Sequence, residues 1–524
     1  MARQPNILFI MADQLRADYL GCYGHPTIRT PNLDRLAADG TRFTRAYAQA
    51  PVCGGSRMSF YTGRYAYSHG AAYNNYPLRL DEWTIGDYLR PQGYRVALVG
   101  KTHMEADLAG FRRLGIDPGS GPGLLARECG FEPFERDDGL HPDQVVDPNL
   151  AYNRWLNGKG YPGANPWHDY ANSVEGPDGE VLSGWYMRNS HLPARVAEAH
   201  SETAYMTDRA MEFITEAGET PWCLHLSYIK PHWPYVAPAP YHAMYGHNAI
   251  QPANRTAAEA EAANPVVRAF MAHEESLNFA RDEVRERVIP AYMGLTTQLD
   301  DHLGRLFAFL QERGIDDNTI IVFTSDHGDY LGDHWLGEKD LFHEESVRIP
   351  LIVRDPRPRA DGGRGRAADA FAEAIDLAPS FLDWAGGEAR PERLEGRSLA
   401  PLLAGQAPSD WRDAVFSDSC FAQRPARITL GLDVADARAF MVRTERWKYV
   451  HFEKHPPLLH DLGNDPAEQH DLGRDPGHEA VRAEMRGLLF DWLRRRRLRT
   501  TIGDALIARK TGNAKERGYL FGVW

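Results

Sequence analysis

Two uninterrupted apolar runs constrain this chain more than any other feature. Residues 6–12 (Asn-Ile-Leu-Phe-Ile-Met-Ala) and residues 319–325 (Thr-Ile-Ile-Val-Phe-Thr-Ser) show no polar alternation, and charge follows each at once: Asp13 after the first, Asp326-His327 after the second. A strand without a polar face is buried on both sides, the condition of an inner strand in a helix-covered parallel sheet. A carboxylate just past it lies at the sheet's carboxyl edge, where open α/β sheets gather ligands. Such a group needs a partner, because an isolated buried charge is costly.

The rest of the chain repeats the pattern. Thr30-Pro31 opens a helix with Leu33, Leu36 and Ala37 on one face, and a second helix, capped by Asp81, presents Trp83, Ile85, Tyr88 and Leu89. Residues 93–103 read as a strand whose end carries Lys101 and His103. A helix over 202–217 leads to a strand over 222–228 that ends in Lys230-Pro-His232-Trp-Pro. Residues 284–313 form one long amphipathic helix, or a pair broken near Pro290. Alternating strands and helices predict an α/β fold with a mostly parallel, doubly wound sheet flanked by helices, over residues 1–388. Residues 389–524 change texture: short strands near 414–417, 440–443, 448–452 and 458–461, then a helix from 479 to about 496, read as a smaller α+β domain with an antiparallel sheet. Between 106 and 200 no period is sustained, and long irregular segments in a globular enzyme serve as walls or lids. Trp155, Trp167, Trp185 and Tyr186 are its candidates for an aromatic wall.

Composition narrows the function. With 59 basic against 72 acidic residues and a net charge of -13, a general nucleic-acid or acidic-membrane binder is excluded, although a local cationic pocket is not. Five scattered cysteines without C-x-x-C spacing suggest neither a disulfide framework nor a zinc site. With no signal-peptide-like segment and no run of the ~18 apolar residues that a membrane helix needs, the expectation is a cytoplasmic protein. The run Arg494 to Arg497 reads as a solvated helix end, His334 and His343 as ordinary structural histidines, and the apolar tail 518–524 as a docking segment favouring a homo-oligomer, dimer or tetramer.

The chemistry centres on residues 51–64, Pro-Val-Cys-Gly-Gly-Ser-Arg-Met-Ser-Phe-Tyr-Thr-Gly-Arg. Cys53 stands between an expected Gly54-Gly55 turn and a short helical run, Met58 to Tyr61, with Arg57 one turn on. A side chain at the positive end of a helix beside an arginine is placed to hold or become an anion. Collected with it are Asp13, Asp326, His327, His103, His232, Lys101, Lys339 and Arg57. Oxygen-rich ligation with at most one imidazole suits calcium, magnesium or manganese better than zinc, and a cationic ring around such an ion accepts a tetrahedral anion.

The order C-x-x-S-R, four residues, then T-G-R resembles the sulfatase signature of the alkaline phosphatase superfamily. The resemblance continues at Asp13, at Gly93 to His103, at Pro231-His232-x-Pro234, at Ser325-Asp-His-Gly-Asp329 through Leu331-Gly-Asp-His334, at Glu344-Glu-Ser-Val-Arg-Ile-Pro350 and at Leu462-Gly-Asn-Asp-Pro-Ala-Glu468. Asp13-Gln14-Leu-Arg-Ala-Asp18, Pro240-Tyr-His-Ala-Met-Tyr245 and Leu299-Asp-Asp-His-Leu-Gly-Arg305 look closest to the phosphonate monoester hydrolase subgroup. The resemblance implies that Cys53 is oxidised to formylglycine by a formylglycine-generating enzyme and acts, hydrated, as nucleophile. It implies one divalent metal, calcium or manganese ahead of magnesium, on Asp13, Asp326, His327 and modified Cys53. Arg57 matches the residue that stabilises formylglycine; Lys101, His103, His232 and Lys339 match the anion-binding and proton-transfer groups; Asn74 matches an asparagine near the nucleophile.

Three positions differentiate this chain within that resemblance. Gly55 stands where the family carries proline or alanine, and Gln14 where most sulfatases have a second aspartate, a change shared with the phosphonate hydrolases. Lys101 and His103 are sulfatase-like, where the phosphonate hydrolases carry uncharged hydroxyl residues. The expected activity is therefore sulfate-ester hydrolysis, with phosphonate and phosphate esters as secondary substrates. The alternatives are a phosphonate hydrolase with sulfate as side activity, or an unmodified, non-catalytic anion binder.

Overall fold

The computed structural model describes residues 4–139, 150–497, 499–511 and 517. Its strands are β1 (Asn6–Asp13), β2 (Thr41–Tyr47), β3 (Arg95–Gly100), β4 (Glu132–Arg136), a small hairpin β5 (Ser173–Glu175) and β6 (Val181–Ser183), β7 (Trp222–Pro231), β8 (Thr319–Ser325), β9 (Arg348–Arg354), β10 (Arg366–Ala368) and β11 (Ala372–Glu373). The central sheet runs β10-β2-β9-β8-β1-β7-β3-β4, with β11 also against β2. β1 lies parallel between β8 and β7, Met11 opposite Thr324 and Ser227. β9 is antiparallel to both β8 and β2, so the sheet is mixed though mostly parallel.

Both faces of β1 are covered, as its unbroken apolar run requires. Leu8 and Ile10 pack with Phe213, Leu299 and Leu303 of the helices Glu202–Ala217 and Asp282–Glu312. Ile7, Phe9 and Met11 pack on the other face with Phe60 and Phe381. The helix Asp282–Glu312 runs unbroken through Pro290. Its burial against β7 outweighs the one backbone hydrogen bond that proline removes. The expected Asp81 cap is corrected. The helix is Ile85–Leu89, its cap is Thr84, whose amide donates to Asp87 at 2.9 Å, and Asp81 pairs with Arg79 instead. Trp83 lies before that helix, beneath the Arg393 guanidinium.

The carboxyl-terminal strands β12 (Ala414–Cys420), β13 (Arg438–Thr444), β14 (Trp447–Phe452) and β15 (Leu458–Asp461) form an antiparallel sheet in sequence order. The helix Glu479–Arg494 packs on it through Met485, Leu489 and Trp492. Lys448 on β14 ties this sheet to the segment after β8, pairing with Glu344 and Glu468 at 2.8 Å each. His334 lies in the same joint, 2.5 Å from Glu259 and stacked on His343 at 4.0 Å. The solvated reading of the arginine run holds for Arg494, Arg495 and Arg497, which are exposed, but not for Arg496, which is half-buried against Tyr65 and Trp492 and pairs with Glu395 at 3.2 Å. The tail 518–524 lies outside the described residues. Among the described residues, no helix is long and apolar enough to cross a membrane.

Candidate active site

The strand order brings four strand ends together. Asp13 closes β1, Asp326-His327 follows β8, Pro231-His232 ends β7 beside it, and Lys101 follows β3. Onto this edge drops the amino end of α2 (Cys53–Thr62), a helix buried throughout, which follows the helix α1 (Pro31–Asp39) and β2. Gly54 and Gly55 belong to its first turn, a correction to the expected turn before the helix. Their missing side chains let the loop at 72–74 approach: a Cβ on Gly54 would lie 2.9 Å from the Tyr73 carbonyl oxygen, and one on Gly55 3.1 Å from that of Ala72. That approach lets Asn74 Oδ1 accept the otherwise orphan Gly54 N–H at 2.7 Å.

Arg57, one turn along α2, is fully buried and organises the carboxylates. It donates through Nε to Asp326 Oδ2 at 2.8 Å, through Nη2 to Asp13 Oδ2 at 3.0 Å, and through Nη1 to the Lys101 carbonyl and Ser227 Oγ at 2.8 and 2.7 Å. Lys101 Nζ adds a 2.5 Å pair to Asp13 Oδ2. Burial and Cys53 push the Asp13 carboxyl up, but Lys101, His232 and Arg57 together hold it well below the usual range. The other oxygen, Asp13 Oδ1, faces Cys53 Sγ at 3.6 Å, and Cys53 Sγ is 3.1 Å from His327 Nε2.

A cationic group closes the far side. Lys339 Nζ lies 3.4 Å from Cys53 Sγ, 2.8 Å from Gln14 Oε1 and 3.2 Å from His232 Nε2. His232 donates Nδ1–H to the Trp233 carbonyl at 2.8 Å, which leaves Nε2 toward Lys339. Burial, helped by Lys339, pushes its pKa down to about 3, so the ring is neutral before an anion arrives. Burial alone would raise the Cys53 thiol; Lys101, Lys339 and His327, with a hydrogen bond from His103, lower it well below the ordinary value. His103 itself has left-handed backbone, φ 52°, and its amide is held by Asp138 Oδ1 at 2.9 Å.

The donor set suits a divalent ion. Asp13, Cys53, Asp326 and His327 each offer one atom, all within 4.8 Å of one another. Both carboxylates turn Oδ2 to Arg57, and His327 fixes Nδ1 on the Gly328 carbonyl at 2.9 Å, so that Nε2 is the atom presented. Two carboxylates and one imidazole fit a hard or intermediate cation.

These groups open into a cavity of about 370 Å³. Asn74, Lys101, His103, His232 and Lys339 line it, so the ten residues singled out in the sequence lie at one place, on its wall or directly beneath. The aromatic expectation divides. Trp167 and Trp185 line the cavity, whereas the half-buried Trp155 packs on Tyr152 and Tyr205 at the edge of the core, and Tyr186 is exposed beside Arg188. Trp233, 5.4 Å from Trp185 and adjacent to His232, takes the vacant role. Asp329 was also missed: it holds Gln14 Nε2 at 2.5 Å and Tyr235 OH at 2.6 Å, and its place in Ser-Asp-His-Gly-Asp was the available signal. Arg424, paired with Asp340 at 3.0 Å, reaches the rim from the carboxyl-terminal part without any motif to announce it.

Comparison with known proteins agrees with this geometry. The sulfatase family model matches residues 5–387, and a second, the carboxyl-terminal region of N-sulphoglucosamine sulphohydrolase, matches residues 332–495. The chain is 35% identical over 490 residues to the multifunctional alkaline phosphatase superfamily protein PehA of Trinickia caryophylli, covering 89% of this chain and 90% of that one. It is 28% identical over 490 residues to an arylsulfatase of Clostridium perfringens, covering 89% of each. The phosphonate monoester hydrolase of Agrobacterium radiobacter superimposes with a TM-score of 0.80 at 30% identity, covering 95% of this chain and 97% of that one. With its alkaline-phosphatase-like sheet, its buried cluster of carboxylates and cations, and a family match over most of its length, this chain belongs to the sulfatase family.

Proposed function

We propose that this member of the sulfatase family hydrolyses sulfate monoesters in preference to phosphonate and phosphate esters, using formylglycine made from Cys53 by a formylglycine-generating enzyme. Asp13, Asp326, His327 and residue 53 would hold one divalent ion, which when bound supplies positive charge to a non-bridging oxygen of the ester. Formylglycine supplies a hydroxyl nucleophile in its hydrated form.

The protein's own residues do the rest. Arg57 pairs with both carboxylates and holds them fixed, so their outward oxygens do not reorganise during reaction. Lys101 and Lys339 flank residue 53 and meet the anion's remaining charge. The negative charge of a bound ester favours protonation of His232 at Nε2, the ring nitrogen turned into the site, which makes it the group suited to protonate the leaving oxygen. His103, beside residue 53, is the base that takes the nucleophile's proton. Asn74 fixes the start of α2 and borders the anion.

The observation that carries the sulfate reading is Lys101 and His103 together at the pocket wall. An added cation and an added base at residue 53 suit breakdown of a sulfated enzyme. The second reading, phosphonate monoester hydrolysis, is favoured by the likeness to the Agrobacterium enzyme. Values of kcat/KM on 4-nitrophenyl sulfate, a phenylphosphonate monoester and a phosphodiester distinguish the two. The sulfate should lead, and a much higher phosphonate value would establish the second reading. Mass spectrometry of the Cys53 peptide tests the nucleophile, and an intact thiol in active protein would falsify it.

A further inference from the structure

The cavity has a second polar end that the reaction centre does not use. Glu202 opens the helix Glu202–Ala217 directly after the Ser201 cap, is 4% exposed, and lines the cavity with Trp167, Asn172 and Lys230. Neither carboxylate oxygen has a hydrogen-bond partner of ordinary geometry. Lys230 does not supply one: its ammonium donates to the carbonyls of His232 and Pro234 at 3.3 and 2.8 Å. Burial raises the Glu202 carboxyl to about 7, against the opposing pull of the Lys230 charge and of a weak hydrogen bond from the Ile229 amide. A cavity of about 20 Å³ also borders Glu202, enough for one water and too small for a group that would balance a charge.

Buried polar groups in native proteins are paired, and a carboxylate left unpaired beside a substrate cavity is an acceptor awaiting a donor. Lys101, Lys339 and His232 take the anionic half of an ester, which leaves its alcohol half for the remainder of the cavity. We propose that Glu202 is a specificity-determining residue, accepting a hydrogen bond from a hydroxyl or ammonium group on the alcohol half, so that donor-bearing alcohols give the preferred esters. The inference rests on the ester-hydrolase reading above and adds the class of alcohol.

Three aryl sulfates of matched size test it: 4-(hydroxymethyl)phenyl, 4-(aminomethyl)phenyl and 4-ethylphenyl sulfate. The wild type should favour the two donors over the ethyl ester by roughly 10- to 100-fold in kcat/KM, the range of a hydrogen bond to a charged group. Glu202→Leu should collapse both preferences toward one, and the isosteric Glu202→Gln should keep the hydroxyl preference while losing the ammonium one. Reading each ratio against the wild type cancels intrinsic differences between the leaving phenols. Equal wild-type rates, or a preference that survives in Glu202→Leu, overturn the proposal. Absence of turnover on all three esters would instead count against the ester-hydrolase reading. The free phenols then decide the proposal separately by quenching of tryptophan fluorescence: Glu202-dependent tighter binding of the donor phenols supports it, and equal binding overturns it.

Discussion

The two ends of the cavity are built on opposite principles. Around Cys53 every charged side chain has a partner: Asp13 and Asp326 share Arg57, Asp13 also pairs with Lys101, and Lys339 is hydrogen-bonded to Gln14 and His232. The groups come from strand ends and one buried helix, whose positions the sheet dictates. At the other end, Trp167, Trp185 and Glu202 come from irregular segments and a helix start, and the Glu202 carboxylate has no hydrogen-bond partner of ordinary geometry. Rigidity serves chemistry common to many esters, whereas a looser wall with an unused acceptor serves selection among them.

Five substitutions probe that contrast, and the first should have the largest effect. Cys53→Ala should lower kcat/KM by about 10⁴-fold or more in steady-state assays, as removal of a nucleophile does. Arg57→Leu should destabilise the fold by about 3–5 kcal/mol in denaturant titrations, because it strands two buried carboxylates. A change of under 1 kcal/mol would show that the carboxylates do not depend on the guanidinium. The tryptophans separate wall from packing: Trp155→Ala, which removes a half-buried ring from Tyr152 and Tyr205, should cost about 1–2 kcal/mol of stability and leave KM unchanged, while Trp185→Ala should raise KM up to about tenfold with a smaller loss of stability. Equal stability losses would erase the distinction. Gly55→Ala should have the smallest effect, about 1 kcal/mol, since its Cβ meets Ala50 Cβ at 3.0 Å and the Ala72 carbonyl oxygen at 3.1 Å. A neutral melting curve would show that the loop holding Asn74 yields.

The same contrast explains what the sequence disclosed. Unbroken apolar strands followed by charge marked the sheet edge, and Asp13, Asp326 and His327 followed from them because strand burial leaves few places for a charge. The wall was legible only as a region. Trp155 and Trp167 are alike as letters, yet one packs half-buried on tyrosines at the edge of the core and the other borders the cavity, a difference set by how the short helices Ala151–Gly158 and Trp167–Ala171 pack. Glu202 looked like an ordinary first-turn acid, which helix starts favour anyway. Nothing local reveals that its charge ends in a cavity. Thr84 won the cap from Asp81 for a similar reason: its reciprocal bond with Asp87 is local, but Arg79 had first to claim Asp81.

The complete burial of α2 also fixes an order of events in the life of the chain. Cys53 has no exposed surface, its neighbours Gly54 to Thr62 are buried with it, and Arg57 is bolted to two strands. A second enzyme cannot close around a side chain in that position without taking the sheet edge apart. Any enzymatic alteration of Cys53 must therefore precede the docking of α2, and chain that folds first presents its thiol only to molecules small enough to enter the cavity.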